Sequence, residues 1–199
     1  MTPFQDILST AHDMSTAQLL RHLIGARFAG RTVVTASLLM RSVAVLKMVA
    51  DIEPATPIVF CHAGDLFPES RDYRDRIVAS LGLSDVRALR GAEIKVKPGD
   101  HDHYEHIWAQ YRDSSGSVHE LVHLNETLSG FDCWISAVYH VSPAHGTQPT
   151  RPRIDIDGRL IRVNPLVGWS DADVRRFMKA NDLPLHPLVK RPRLPPPPP

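Results

Sequence analysis

Hydrophobic and polar positions along the chain alternate between two periods. Residues 15–28, "STAQLLRHLIGARF", place Leu19, Leu20, Leu23, Ile24 and Phe28 at helical spacing, with Ser15 or Thr16 as the N-cap. A β-branched run, "RTVVTAS", predicts a strand, and "MRSVAVLKMVADI" after it predicts a helix with Val45, Met48, Val49 and Ile52 on one stripe. "TPIVFC" reads as a short strand of a buried parallel sheet. In "PESRDYRDRIVASLG", Tyr73, Ile77 and Leu81 recur every fourth residue, Pro68 suits the first turn and Gly82 can close the helix. "DVRALR" predicts a third strand and "FDCWISAV" a fourth.

Further along, residues 101–111 predict a helix with Tyr104, Ile107, Trp108 and Tyr111 inward. Residues 117–129 predict another, with Val118, Leu121, Val122 and Leu128 inward. "RIDIDGRLIRV" reads as two strands around an Asp157-Gly158 hairpin turn. "SDADVRRFMKAND" is a helix whose Ser170 and Asp173 have capping-box spacing. Strands alternating with helices predict an α/β fold: a mainly parallel, doubly wound sheet with helices on both faces. Ligands of such sheets bind beyond the carboxyl ends of the strands. The turns "ASLLMRS" and "CHAGDLFPES" lie on that edge. Residues 1–189 form one domain, and 190–199, "KRPRLPPPPP", are a basic, proline-rich tail expected to be disordered or polyproline II.

Composition narrows the classes. The 199 residues are 43% hydrophobic and 23% charged, with a formal net charge of +1. That balance gives no electrostatic case for nucleic acid or a membrane as partner. No apolar run approaches the roughly 20 residues of a membrane helix, and no signal pattern opens the chain, so a cytoplasmic protein is expected. Cys61 and Cys133 both fall in apolar strand-like runs, where buried core thiols are expected rather than a disulfide framework. Homo-oligomer formation stays open.

The turns carry a resemblance. "SLLMRS" stands where sulfonucleotide reductases have a Ser-x-Gly-x-x-Ser loop, and "HAGDLFPES" where they have Asp-Thr-Gly followed by Leu-Phe-Pro-Glu-Thr. Residues 159–188 match the segment leading to the family's C-terminal tail, with Asn164-Pro165-Leu166, Trp169 and His186-Pro187-Leu188 in register. Over about residues 15–189 the chain resembles the reductases of phosphoadenylyl or adenylyl sulfate, within the PP-loop group of adenine-nucleotide enzymes. The resemblance implies an adenine nucleotide as ligand, with Ser37, Ser42, His62 and Gly64 as the matching binding positions.

The departures imply lost chemistry. Leu39 fills the loop's glycine position, His62 replaces an aspartate, and Ala137-Val138-Tyr139-His140 replaces an arginine-bearing turn. Ser115-Gly116 stands at the cluster cysteine pair, so no iron–sulfur cluster is expected. The sequence ends in prolines where the family carries its nucleophilic cysteine, so a divergent protein without reductase activity is expected. The turn after the first strand then reads as a scaffold turn with Leu38 and Leu39 packed into the core, or as a weak nucleotide site built on Ser37, Ser42 and a helix N-terminus.

One local motif points elsewhere. His119, Glu120 and His123 form H-E-x-x-H on the expected helix, the pattern of a zinc-dependent hydrolase. A third ligand is not supplied nearby, where Glu126 and Ser129 stand, leaving His140 or Asp132. "HDHYEH" at 101–106 also invites a metal, against a plain solvated helix start. In the tail, Arg193, Pro196 and Pro199 have the spacing of a polyproline ligand, against an unstructured end.

Overall fold

The structure is a computed structural model, and it describes residues 7, 11, 14–63, 65–94, 110–112, 118–120, 124–137, 153–157 and 160–190. Helix α1 (Thr16–His22) starts at a Ser15 capping box closed by Gln18 and runs into a wider π turn, Leu23–Arg27. Strand β1 (Thr32–Ala36) is buried at every position. Helix α2 (Met40–Ala50) follows, then β2 (Ile58–Ala63) and α3 (Pro68–Leu81). Pro68 sits in the first turn of α3, and Gly82 ends the helix at φ 64°, a left-handed conformation that glycine adopts without cost.

Strand β3 (Val86–Ile94) is longer than "DVRALR". Then come β4 (Gln110–Arg112), β5 (Val118–Glu120), α4 (Leu124–Leu128), β6 (Cys133–Ser136), β7 (Arg153–Asp157), β8 (Leu160–Asn164) and α5 (Asp171–Ala180). Among the described residues the sheet has the order β4-β5-β3-β2-β1-β6-β8-β7. The five strands β3-β2-β1-β6-β8 are mutually parallel, and antiparallel strands lie outside them. The expected α/β sheet is therefore observed. The chain leaves β1 toward β2 and β3 and later returns to its other side at β6. The switch point thus lies between the carboxyl ends of β1 and β6.

Two expectations are corrected. Residues 110–112 and 118–120 are strands, where helices over 101–111 and 117–129 are expected; among the described residues of the second, Leu124–Leu128 is the helical part. The reason is tertiary. Strand β3 continues to Ile94 and offers β5 a partner, pairing Ala92 with Glu120 and Ile94 with Val118. Short edge segments take the conformation of the sheet they join. The expected hairpin forms, with Asp157 opposite Leu160, so residues 158 and 159 separate the paired ends, one position later than read.

The core divides by strand face. Val34, Ala36, Ile58, Phe60, Cys133, Ile135, Ile161 and Val163 form one face and pack with residues of α1, α2, α3 and α5. Val33, Val59 and Trp134 form the other, under Leu124 and Leu128 of α4. Helix α2 buries Val43, Ala44, Val45, Leu46, Met48 and Val49, which is more than the single stripe expected. It is enclosed between β1 and the helices α1, α3 and α5. Each fully buried valine or leucine among them contributes about 1.5–3 kcal/mol. No helix among the described residues is long and apolar enough to cross a membrane.

Candidate functional site

The turn between β1 and α2 closes on itself. Leu39 N–H donates to Ser37 Oγ at 3.4 Å, and the Ser37 and Ser42 hydroxyls are 2.9 Å apart. Ser42 Oγ donates to the Ala137 carbonyl at 3.0 Å and accepts the Ser37 amide at 3.1 Å. With the Ser42 proton on Ala137 O, the Ser37 hydroxyl is the donor of its pair with Ser42. The relay runs from Leu39 through Ser37 and Ser42 to the end of β6, and it bridges the switch point. Both serine protons are thereby committed, and both lone pairs of Ser42 are filled. What the turn still presents is the first turn of α2, whose amides have no intrahelical acceptors.

Leucine is not strained at the family's glycine position. Leu39 has φ −82° and ψ 154°, ordinary extended backbone. It is the N-cap of α2 and makes no capping bond with its side chain. Of the two leucines, Leu38 packs against the core, but Leu39 is 64% exposed. Packing of Leu39 into the core is thus corrected: the extended backbone turns its side chain outward, beside the amides.

Arg41, in the same turn, points elsewhere. Its guanidinium donates to Trp169 O at 2.8 Å, to Leu166 O at 3.5 Å and to Asp171 Oδ1 at 3.0 Å. It ties α2 to the turn between β8 and α5. That turn relies on Gly168 at φ 89°, where a side chain would be strained. Ser170 then caps α5: its Oγ accepts from Asp173 N–H, and its amide donates back to Asp173 Oδ2. The Ser170 hydroxyl and amide, with Arg176 nearby, hold the Asp173 carboxyl below its ordinary value.

On the neighbouring strand His62 is half-buried near the end of β2, in register with Arg90 of β3. Gly64 lies outside the described residues. Asp65 pairs with Arg90 at 3.1 Å, both exposed, so this pair contributes little to stability. Phe67, at the mouth of α3, is 68% exposed. Three of the four matching positions therefore lie at the carboxyl edge of adjacent strands: Ser37 just after β1, Ser42 in the first turn of α2 and His62 near the end of β2. Arg41 and the Ala137 carbonyl complete the turn. Sequence reading gave Arg41 no role, and it named Ala137 only as part of the stretch that replaces an arginine-bearing turn, not for its carbonyl.

Neither cysteine is placed as a nucleophile. Cys133 is buried in β6 and Cys61 half-buried in β2. Burial pushes both thiols up to about 12, so both stay protonated and inert near neutrality. The expectation of core thiols agrees with these positions. His119 and Glu120 stand in β5 rather than on a helix, and His123 lies outside the described residues. The helical face on which H-E-x-x-H depends is therefore not formed at those two residues. The 101–106 histidine cluster and the tail at 193–199 also lie outside the described residues. Among the described residues, no three His, Cys, Asp or Glu side chains stand together at metal-binding spacing.

This arrangement of turns has relatives. The family model of the phosphoadenosine phosphosulfate reductase domain matches residues 31–192. The phosphoadenosine 5'-phosphosulfate reductase of Alkalilimnicola ehrlichii is 30% identical over 169 residues, covering 82% of this chain and 66% of that protein. The adenosine 5'-phosphosulfate reductase of Mycobacterium tuberculosis is 28% identical over 154 residues, covering 76% of this chain and 59% of that one. The chain thus spans between 59% and 66% of the length of these relatives. A crystal structure of phosphoadenylyl-sulfate reductase from Candida auris, in a phosphate complex, superimposes with a TM-score of 0.61. The match covers 94% of this chain and 89% of that one at 15% identity, which shows a shared fold. With the family model spanning the β1 turn, the β2 turn and α5, the chain belongs to the phosphoadenosine phosphosulfate reductase domain family.

Proposed function

We propose that this chain is a divergent member of its family, one that binds an adenine nucleotide weakly at the carboxyl edge and carries out no sulfonucleotide reduction. The observation that carries the reading is the closed serine relay. Ser37 and Ser42 hold each other and Ala137 O, so a phosphate meets backbone amides and no free hydroxyl proton. Arg41 is occupied by the β8–α5 turn, and no arginine stands at Ala137-Val138-Tyr139-His140. Amide donors without a charged partner give modest affinity.

Reduction would require a thiolate to attack sulfur with the nucleotide as leaving group, and a second thiol to attack the resulting S–S bond, releasing sulfite and leaving a disulfide. Cys61 and Cys133 are the two thiols of this sequence, and burial holds both at about 12. A role through protein contacts is the second reading, favoured by Leu39 and Phe67, which expose apolar surface on the same edge. The test is a thioredoxin-coupled assay of sulfite release with each sulfonucleotide. Release at the level of a no-enzyme control is expected. Sulfite above that level, lost in Cys61→Ser or Cys133→Ser, would overturn the proposal.

A further inference from the structure

We propose that His186 is a pH-operated latch: neutral, it fastens residues 183–190 to the first turn of α3, and protonated, it lets that segment go beside the carboxyl edge. The argument starts from the hydrogen-bond pattern of the ring. Leu188 N–H lies 3.2 Å from Nδ1, and a backbone amide can only donate. Nδ1 must therefore be the bare nitrogen, and the ring proton sits on Nε2. There it faces Ser70 Oγ at 3.1 Å. One tautomer of the neutral ring satisfies both contacts.

The surroundings complete the fastening. The ring meets Tyr73 edge-on, with centroids 4.8 Å apart. The Tyr73 hydroxyl donates to Pro184 O at 2.8 Å, so two residues of α3 grip the segment on both sides of Leu185. His186 is 9% exposed. A proton added at Nδ1 creates an N–H facing the Leu188 N–H, two donors with no acceptor between them. The imidazolium must then turn out, and the Leu188 amide loses its partner.

Charged groups around the ring are few among the described residues. From α3, Glu69 attracts the imidazolium, and the Tyr73 phenol is neutral, pushed up to about 12 by burial. The ring's own segment presents the Leu188 amide. Burial outweighs Glu69 and lowers the His186 value below the ordinary one. The stabilisation is therefore full above roughly pH 6.5, the unfolded value, and is lost as pH falls through the lower folded value. Ser70 closes the "LFPES" stretch that follows the β2 turn. The latch thus joins a distant part of the chain to the same edge as the candidate site.

The test uses the full 199-residue chain. Nitrogen-detected NMR of His186 should give the Nε2–H tautomer at neutral pH and titration below the ordinary value. Hydrogen exchange of the Leu188 amide, corrected for intrinsic rates, should lose about tenfold or more protection from about pH 7.5 to about pH 5. Strand amides of β1 should keep theirs over that range. His186→Gln offers an acceptor and a donor but does not titrate, and it should remove the pH dependence. An Nδ1–H tautomer, titration at or above about 6.5, or the same loss of protection in His186→Gln would overturn the latch. Where His186→Gln fails to fold or hold the segment, the two wild-type readings decide.

Discussion

Two residues show how burial and backbone set chemistry. Leu39 caps α2 with no polar side chain, from an exposed position. A serine there would accept an amide bond from the helix's first turn. Leu39→Ser should therefore raise the denaturation midpoint, by about 0.5–1 kcal/mol of stability. A lowered midpoint would mean that the leucine side chain makes a contact that matters. Cys133 gives the second case. A thiol near 12 is roughly one part in ten thousand thiolate at pH 8. Iodoacetamide should label it in the unfolded protein and leave it unmodified in the folded one, as read by intact mass. Rapid labelling of the native protein would contradict its burial in β6.

At the scale of elements, the strands were legible where β-branched runs coincide with deep burial, as in "TVVTA". The helices were legible where a stripe and a cap agreed, as in α3 with Pro68, Tyr73, Ile77 and Gly82. The edge strands were not. "HELVH" satisfies a helical period as well as an extended one, and for its described residues, His119 and Glu120, pairing with β3 makes the choice. Likewise, two adjacent leucines look alike in sequence, but only the backbone at Leu39 separates Leu38 from its neighbour. The Arg41 clamp was invisible because its partners lie 125 to 130 residues away.

That clamp and Trp169 make predictions at the same scale. Arg41→Ala removes bonds to Leu166, Trp169 and Asp171, partly exposed to solvent, and should cost about 1–2 kcal/mol. Arg41→Lys should recover only part, because a single ammonium cannot reproduce the fork. Equal midpoints for Arg41→Ala and wild type in urea would show the clamp to be idle. Trp169 meets Phe177 edge-on at 5.7 Å and is half-buried. Trp169→Ala should then cost about 2–3 kcal/mol, less than a fully buried ring. A cost near zero would make the β8–α5 turn peripheral.

Across the whole molecule, the parallel order of five strands and the family motifs agree, and together they place the candidate site at the β1–β6 switch point. Sequence named Ser37, Ser42 and His62 as matching positions; it could not show that the two hydroxyls satisfy each other and a carbonyl of β6. That closure depends on Ala137, 95 residues from Ser42. Under the proposed reading it leaves the amides of the first turn of α2, rather than the Ser37 and Ser42 hydroxyls, to meet a phosphate. The direct measurement is titration calorimetry of the wild-type chain with adenosine bisphosphate at fixed salt. The account predicts weak binding, with Kd on the order of 100 µM or above, as amide donors alone would give. Micromolar binding that Ser42→Ala abolishes would contradict it, because the serine relay would then have to open onto the nucleotide.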